Sequence, residues 1–165
     1  MIRFEPTPEP AGFQDQARRP GQEWLAKHPE APHPKDYWSQ FRPQLAEAFR
    51  HLCAYSAMYL ADGTIDHYRS CKNYPARIYE WGNYRYASGN INSRKRSLDE
   101  QILDPFEVGD DWFEILLPSL QLVPSTTLPE AERVRAEFTL KQLRLRDHEE
   151  TIRQRRGWYE LYELG

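Results

Sequence analysis

Apolar positions along this chain change their period three times, and each period predicts a different element. From Asp36 onward, Trp38, Phe41, Leu45, Phe49 and Leu52 follow one another at steps of three and four. That spacing lays one apolar stripe along a helix spanning about 36–60, with Asp36 as its N-cap and Pro43 as a kink or a second start. Residues 53–95 are instead rich in aromatic and β-branched side chains, broken at Asp62-Gly63 and Gly82. Ala57–Leu60 and Thr64–Tyr68 read as strands joined by an Asp-Gly hairpin turn, and a short helix follows from Asn90. Ile102 to Val108 and Trp112 to Leu117, around Gly109-Asp110-Asp111, read as a hairpin or two extended segments. Thr127-Leu-Pro-Glu130 has the form of a capping box, opening a helix whose apolar face is Val134, Phe138, Leu140 and Leu143. Asp147 and Glu150 suggest a second cap, for a helix carrying Ile152, Trp158, Leu161 and Tyr162.

The first 35 residues predict less order. Pro10, Pro20, Pro29, Pro32 and Pro34 forbid a long helix, leaving two turns over Gln22 to His28. The expectation is an irregular arm, 1–35, laying Phe4, Phe13 and Trp24 on the surface of a single domain, 36–165. Helices on either side of a small strand-turn-strand-helix core give an α+β fold.

Composition narrows the class. The chain has 165 residues, enough for one core, and 13% aromatic residues, too many for a disordered segment. Its 22 Lys and Arg against 25 Asp and Glu give a net charge of -3, which excludes a uniformly basic nucleic-acid coat but leaves a local basic site open. The charge is indeed uneven. Residues 67–96 carry Arg69, Lys72, Arg77, Arg85, Arg94, Lys95 and Arg96 against one acid, Glu80. The later group, Arg144, Arg146, Arg153, Arg155 and Arg156, alternates with glutamates and reads as a solvated helix face. Two cysteines, Cys53 and Cys71, make neither a disulfide framework nor a four-ligand zinc site. No apolar signal core or membrane-length apolar run is present, so the expected location is the cytoplasm, away from any membrane.

The candidate chemistry lies in the same basic stretch. Asp66 and His67 stand together near a strand end, offering a hard oxygen ligand beside a base that is neutral at pH 7. Asn92, in the short helix, supplies a second oxygen. Mg²⁺ suits so sparse a ligand set, because it keeps several waters and takes one or two protein oxygens. Asn83 follows Gly82 and has the plainer reading of a turn residue. Arg94-Lys95-Arg96 likewise has the plainer reading of a solvated helix end.

In order and spacing these residues resemble the HNH, or ββα-metal (His-Me finger), endonucleases. That family's pattern is a C-x-x-C pair, Asp-His at a strand end, a fixed Asn, then a second C-x-x-C followed by Asn or His, two spacers and Lys. The match here is Cys53-Ala-Tyr-Ser56, Asp66-His67, Trp81-Gly-Asn83-Tyr84 and Ser88-Gly-Asn-Ile91-Asn92-Ser-Arg-Lys95. Ser70-Cys71-Lys72-Asn73-Tyr74-Pro75 and Tyr79-Glu80-Trp81 are similar to the bacterial retron- and Septu-associated branch.

The resemblance implies a ββα core at about 53–97, C-terminal helices at about 127–163, and a metal-dependent endonuclease acting on DNA. It makes His67 the general base, Asp66 and Asn92 the holders of one Mg²⁺ or Mn²⁺, and Asn83 the residue bracing the loop that orients the imidazole. Lys72, Arg85, Arg94, Lys95 and Arg96 would hold phosphates. It also implies a place in phage defence or a mobile element, with an ATPase or sensor protein as regulator. Three of the four family cysteines are Ser56, Ser88 and Ile91, so no structural zinc is expected, and packing among Tyr55, Met58, Tyr79, Trp81, Tyr84, Tyr86 and Ile91 must replace it. That loss motivates the alternative of a catalytically silent interaction domain. RNA cleavage is a third reading with the same chemistry.

Overall fold

The computed structural model describes all 165 residues. Five helices and two small antiparallel sheets make an α+β fold. Helical winding begins at Gln14–Arg18 and continues as α1, Arg19–Lys27. This is longer than the two turns expected: Pro20 falls inside the continuous winding, just after its π turn, and the Gln16 carbonyl four residues back accepts from Gln40 Nε2 instead. Gly21 lets α1 press on Tyr79; a Cβ there would sit 2.4 Å from the ring. The arm is therefore no surface dressing. Phe4, Phe13 and Ala17 are buried in the one core cluster, with Phe13 edge-on to Phe41, Trp81 and Tyr84. Trp24 stays half-buried, stacked on His28.

Asp36 is not the N-cap expected; it closes a turn just ahead of the first winding, its Oδ1 accepting from the backbone N–H groups of Trp38 and Ser39, and the N-cap positions fall to Trp38 and Phe41. A 3₁₀ turn, Ser39–Phe41, leads into α2, Arg42–Ala48, with Pro43 in its first turn. Phe41, Leu45 and Phe49 are buried, so the stripe was real, but α2 stops at Ala48 and the chain reverses through Arg50 and His51, both at positive φ.

The Asp62-Gly63 hairpin does not form. β1, Thr64–His67, pairs with β2, Tyr84–Ala87, across the loop 68–83, while Tyr59 bridges back to Leu52. Gly63 serves packing instead. Its N–H donates to the Tyr86 hydroxyl, and a Cβ would lie 2.5 Å from that ring. Helix α3, Gly89–Lys95, follows β2 directly, with the Ser88 hydroxyl accepting from the Ile91 N–H. The order strand, loop, strand, helix is kept with a different first partner.

The second hairpin is also shifted. β3, Phe113–Leu116, pairs with β4, Gln121–Pro124, and 102–108 is irregular, with Ile102, Leu103 and Val108 buried. α4, Glu130–Gln142, starts after Pro129 with no side-chain cap; the Thr127 hydroxyl bonds Ser125 instead. Its inward stripe is Ala136, Thr139 and Leu140, whereas Val134 and Phe138 are 60% and 37% exposed. Polar residues face inward here because the irregular segment beneath offers bare backbone groups. Thr139 accepts from the Leu103 N–H, and Arg135 donates to the carbonyls of Glu100 and Ile102. α5, Glu149–Glu163, is held by buried Arg155, which donates to the carbonyls of Leu120, Leu145 and Arg146. Its later aromatic residues, Trp158 and Tyr162, are exposed. No helix is long and apolar enough to cross a membrane.

Candidate active site

Side chains alternate across a strand, so Asp66 and His67 leave β1 on opposite faces. The register sets Asp66 opposite Arg85 and His67 opposite Tyr84. The two halves of the expected site thus meet different surroundings.

On one face the charges are already matched. Asp66 is 2% exposed; its Oδ2 accepts from the Tyr55 hydroxyl at 2.6 Å, and its Oδ1 lies 3.2 Å from Lys95 Nζ. Lys95 has no exposed surface at all and also donates to the His67 carbonyl at 2.8 Å. Burial and the adjacent carboxylate hold the Tyr55 hydroxyl far above its usual range, so it stays a donor. Beside this pair, buried Arg85 grips Asp104 with both arms of its guanidinium, at 2.8 and 2.6 Å, and lies over the Phe106 ring. Asn92 reaches β1 from α3, donating to Thr64 Oγ1 and the Ile65 carbonyl. Asp66 and Asn92 therefore share the β1–α3 seam. As arranged, both Asp66 oxygens are engaged, one by the Tyr55 hydroxyl and one by the Lys95 ammonium.

The other face is aromatic and neutral. His67 sits edge-on between Trp38 and Tyr84, at centroid distances of 4.7 and 5.0 Å. Its Nε2 is 2.9 Å from the Ile78 carbonyl. A carbonyl only accepts, so Nε2 carries the hydrogen and Nδ1 keeps its lone pair. Burial lowers the imidazole below its ordinary pKa, outweighing the opposite pull of Asp66, so the ring is neutral near pH 7. No buried side-chain nitrogen or oxygen lacks a partner, and Nδ1 makes no hydrogen bond, so it meets solvent.

The loop 68–83 that supplies the Ile78 carbonyl is tied at both ends. Asn83 accepts from the Arg69 N–H and donates to the carbonyls of Arg69 and Arg77. It is buried, more than a turn residue needs. Asp99 adds a second tie: burial raises its pKa, but bonds from Ser70 and Asn73 win and hold it below the usual carboxylate range. Cys71 lies in this loop with its thiol pushed up to about 11 by burial, far from a reactive thiolate.

Of the five expected phosphate ligands, Lys72 and Arg96 are exposed and Arg94 is half-buried. Arg85 and Lys95 are corrected: both are internal ion-pair partners and present nothing to a phosphate. Tyr55, Asp104 and the Ile78 carbonyl went unforeseen. Period-two alternation sets Arg85 on the same face as Asp66, which already called for a carboxylate partner; a backbone carbonyl leaves no trace in sequence.

The four positions that the resemblance sets against cysteines are partly reunited. Ser56, Ser88 and Ile91 line one cavity of about 70 Å³, and Cys53 is buried in the adjoining turn, where its carbonyl accepts from the Ala57 N–H. Of the six packing residues expected here besides Met58, all are buried; Met58 is half-buried. No protein-family model matches this chain, and no curated protein matches it.

Proposed function

We propose that the chain is an HNH-type endonuclease that hydrolyses phosphodiester bonds in DNA, with His67 as general base. One observation carries this reading: His67 closes β1 with its proton fixed on Nε2 by Ile78 and with a free lone pair on Nδ1. A neutral imidazole held in one tautomer by a backbone acceptor is prepared to take a proton from water. As it does so, the water oxygen bonds to phosphorus, the bond from phosphorus to the 3′ oxygen breaks, and the 3′ oxygen leaves with the electron pair and takes a proton from solvent, giving a 3′ hydroxyl and a 5′ phosphate. Asn83 acts through the loop, holding Ile78 in place. The strand-loop-strand-helix unit and the cavity gathering Ser56, Ser88 and Ile91 support the family assignment.

A second reading has its own observation. The Asp66–Lys95 pair puts an ammonium against the carboxylate that the family resemblance gives to a divalent ion. A domain that has exchanged its metal for an internal ion pair fits a role in binding without cleavage.

Supercoiled plasmid incubated with Mg²⁺, with Mn²⁺ and with EDTA separates the two. The endonuclease reading expects metal-dependent nicking, reduced about 10²- to 10⁴-fold in His67→Ala, the range for loss of a general base. Wild-type protein that leaves the plasmid intact under every condition, while binding it, overturns this reading in favour of the second. An RNA substrate in parallel decides between the two polymers.

A further inference from the structure

We infer that the groove between the C-terminal ends of α3 and α4 is a docking surface for the phosphodiester backbone of duplex DNA. This deepens, and rests on, the reading of the chain as one that acts on nucleic acid. The groove measures about 550 Å³ and is lined by Ser93, Arg94, Arg96, Lys141, Gln142 and Arg144. Four of these six are cations, no lining residue is an acid, and none is apolar. None of the four cations forms a salt bridge, although eleven other Lys and Arg side chains do, from Arg3–Glu5 to Arg153–Glu149.

Helix C-termini attract cations on their own, so the carbonyl ends must be weighed against this charge. Each contributes roughly half a negative charge. Two such ends offset about one of four positive charges, and the two bonds seen, Arg94 Nη1 to the Leu143 carbonyl and Arg96 Nε to the Ser93 carbonyl, are 3.4 and 3.3 Å long. Most of the charge is left for an outside anion. A row of cations with hydrogen-bonding Ser and Gln beside them suits a phosphate chain, which presents one charge after another. The surface is also bounded. Past Lys141 and Arg144 it runs into a depression where Arg146 pairs with Glu137 and Asp147 adds a second acid, so the charge there is largely matched.

Backbone conformation supplies an independent sign. Arg96, the C-cap of α3, and Arg144, the residue after the C-cap of α4, have φ of 48° and 56°. Glycine is the ordinary residue in such positions, and a side chain there strains the backbone. Both helices carry arginine at this point, and both arginines line the same groove. Helix termination alone favours glycine; charge at the groove favours arginine. Sequence had assigned Arg144 to a salt-bridged helix face, because its spatial neighbours Arg94 and Arg96 lie some fifty residues away on another helix.

The conflict between strain and charge makes the test. Arg96→Gly with Arg144→Gly relieves both strained positions and removes two cations. Binding to a short labelled DNA duplex is measured by fluorescence anisotropy in EDTA, so that cleavage plays no part, beside a thermal melt. The expected result is a melting midpoint at or above wild type with affinity at least tenfold weaker, and a salt dependence shallower by about one logarithmic unit per cation removed. A control, Arg3→Ala with Lys27→Ala, removes equal charge elsewhere and is expected to bind within twofold of wild type. Equal affinity of the glycine variant and wild type overturns the groove, as does a control that weakens binding just as much. Equal losses on single-stranded RNA keep the groove as a phosphodiester site and remove the preference for DNA. Plasmid nicking without loss of binding in the glycine variant sinks the groove alone; binding without nicking sinks the nuclease alone.

Discussion

The two faces of the β1–β2 ribbon solve the burial of polar groups in opposite ways. On the Asp66 face, full charges are kept inside and matched one to one: Asp66 with Lys95, Arg85 with Asp104. On the His67 face, the titratable group gives up its charge and is held by one carbonyl among aromatic rings. A buried charge matched by its partner is committed to structure. A half-buried neutral base with one free nitrogen remains open to chemistry. The difference explains why adjacent residues, Asp66 and His67, have different prospects as functional groups.

The sharpest way to break this contrast is to unmatch the charged face. Lys95→Met leaves the Asp66 carboxylate sealed under the sheet with only Tyr55 for company. Removing one partner of a buried ion pair costs about 3–5 kcal/mol, because the survivor keeps its desolvation penalty. The combined Asp66→Asn and Lys95→Met variant removes both charges and is expected to recover most of that loss. Urea denaturation of the three proteins checks it. A Lys95→Met protein as stable as wild type would show that Asp66 holds its charge without help, contrary to the matched-pair account.

A smaller effect is expected from Arg85→Lys, which keeps the charge but loses the fork. Two parallel bonds to Asp104 become one at best, and the flat contact with Phe106 goes. The expected cost is about 1.5–3 kcal/mol, the range for a hydrogen bond to a charged group. Denaturation midpoints measure it. If the lysine variant matches wild type, charge alone and not bidentate geometry holds this side of the ribbon.

Which of these features could be read beforehand follows from their physical range. Local signals survived: the Asp36 carboxylate accepting from the N–H groups two and three residues on, and the Phe41-Leu45-Phe49 stripe, each decided within one or two helical turns. Pairings settled by distant residues did not. Asp62-Gly63 has a hairpin's composition, yet Tyr86, more than twenty residues on, takes the space above Gly63 and β1 turns to β2. Arg135 and Thr139 sit inward on α4 only because irregular backbone from 100 to 103 needs partners there, which no helical period records. The candidate site divides likewise. Asp66, His67, Asn83 and Asn92 were legible as residues, but Lys95 and Arg85 were read as surface cations because basic runs carry no mark of which member turns inward.

The neutral face gives the smallest effect and the most specific one. Burial sets the folded pKa of His67 below its unfolded value of about 6.5. As pH falls through that value, the unfolded chain takes up a proton before the folded one does. Protons then favour unfolding, so His67 lowers stability progressively below about pH 6.5 until its folded pKa is reached, and has no such effect above. His67→Gln keeps a donor for the Ile78 carbonyl but does not titrate. Melting curves of both proteins from about pH 8 down to about pH 5.5 isolate the group, because every other titration is common to the two. The difference, wild type minus variant, is expected to be flat at high pH and to fall as pH drops. A difference that rises on acidification would mean that the imidazole is protonated in the folded state, with Asp66 outweighing burial. In that case Nδ1 carries no lone pair near neutrality, and the two faces of the ribbon would differ in polarity but not in charge.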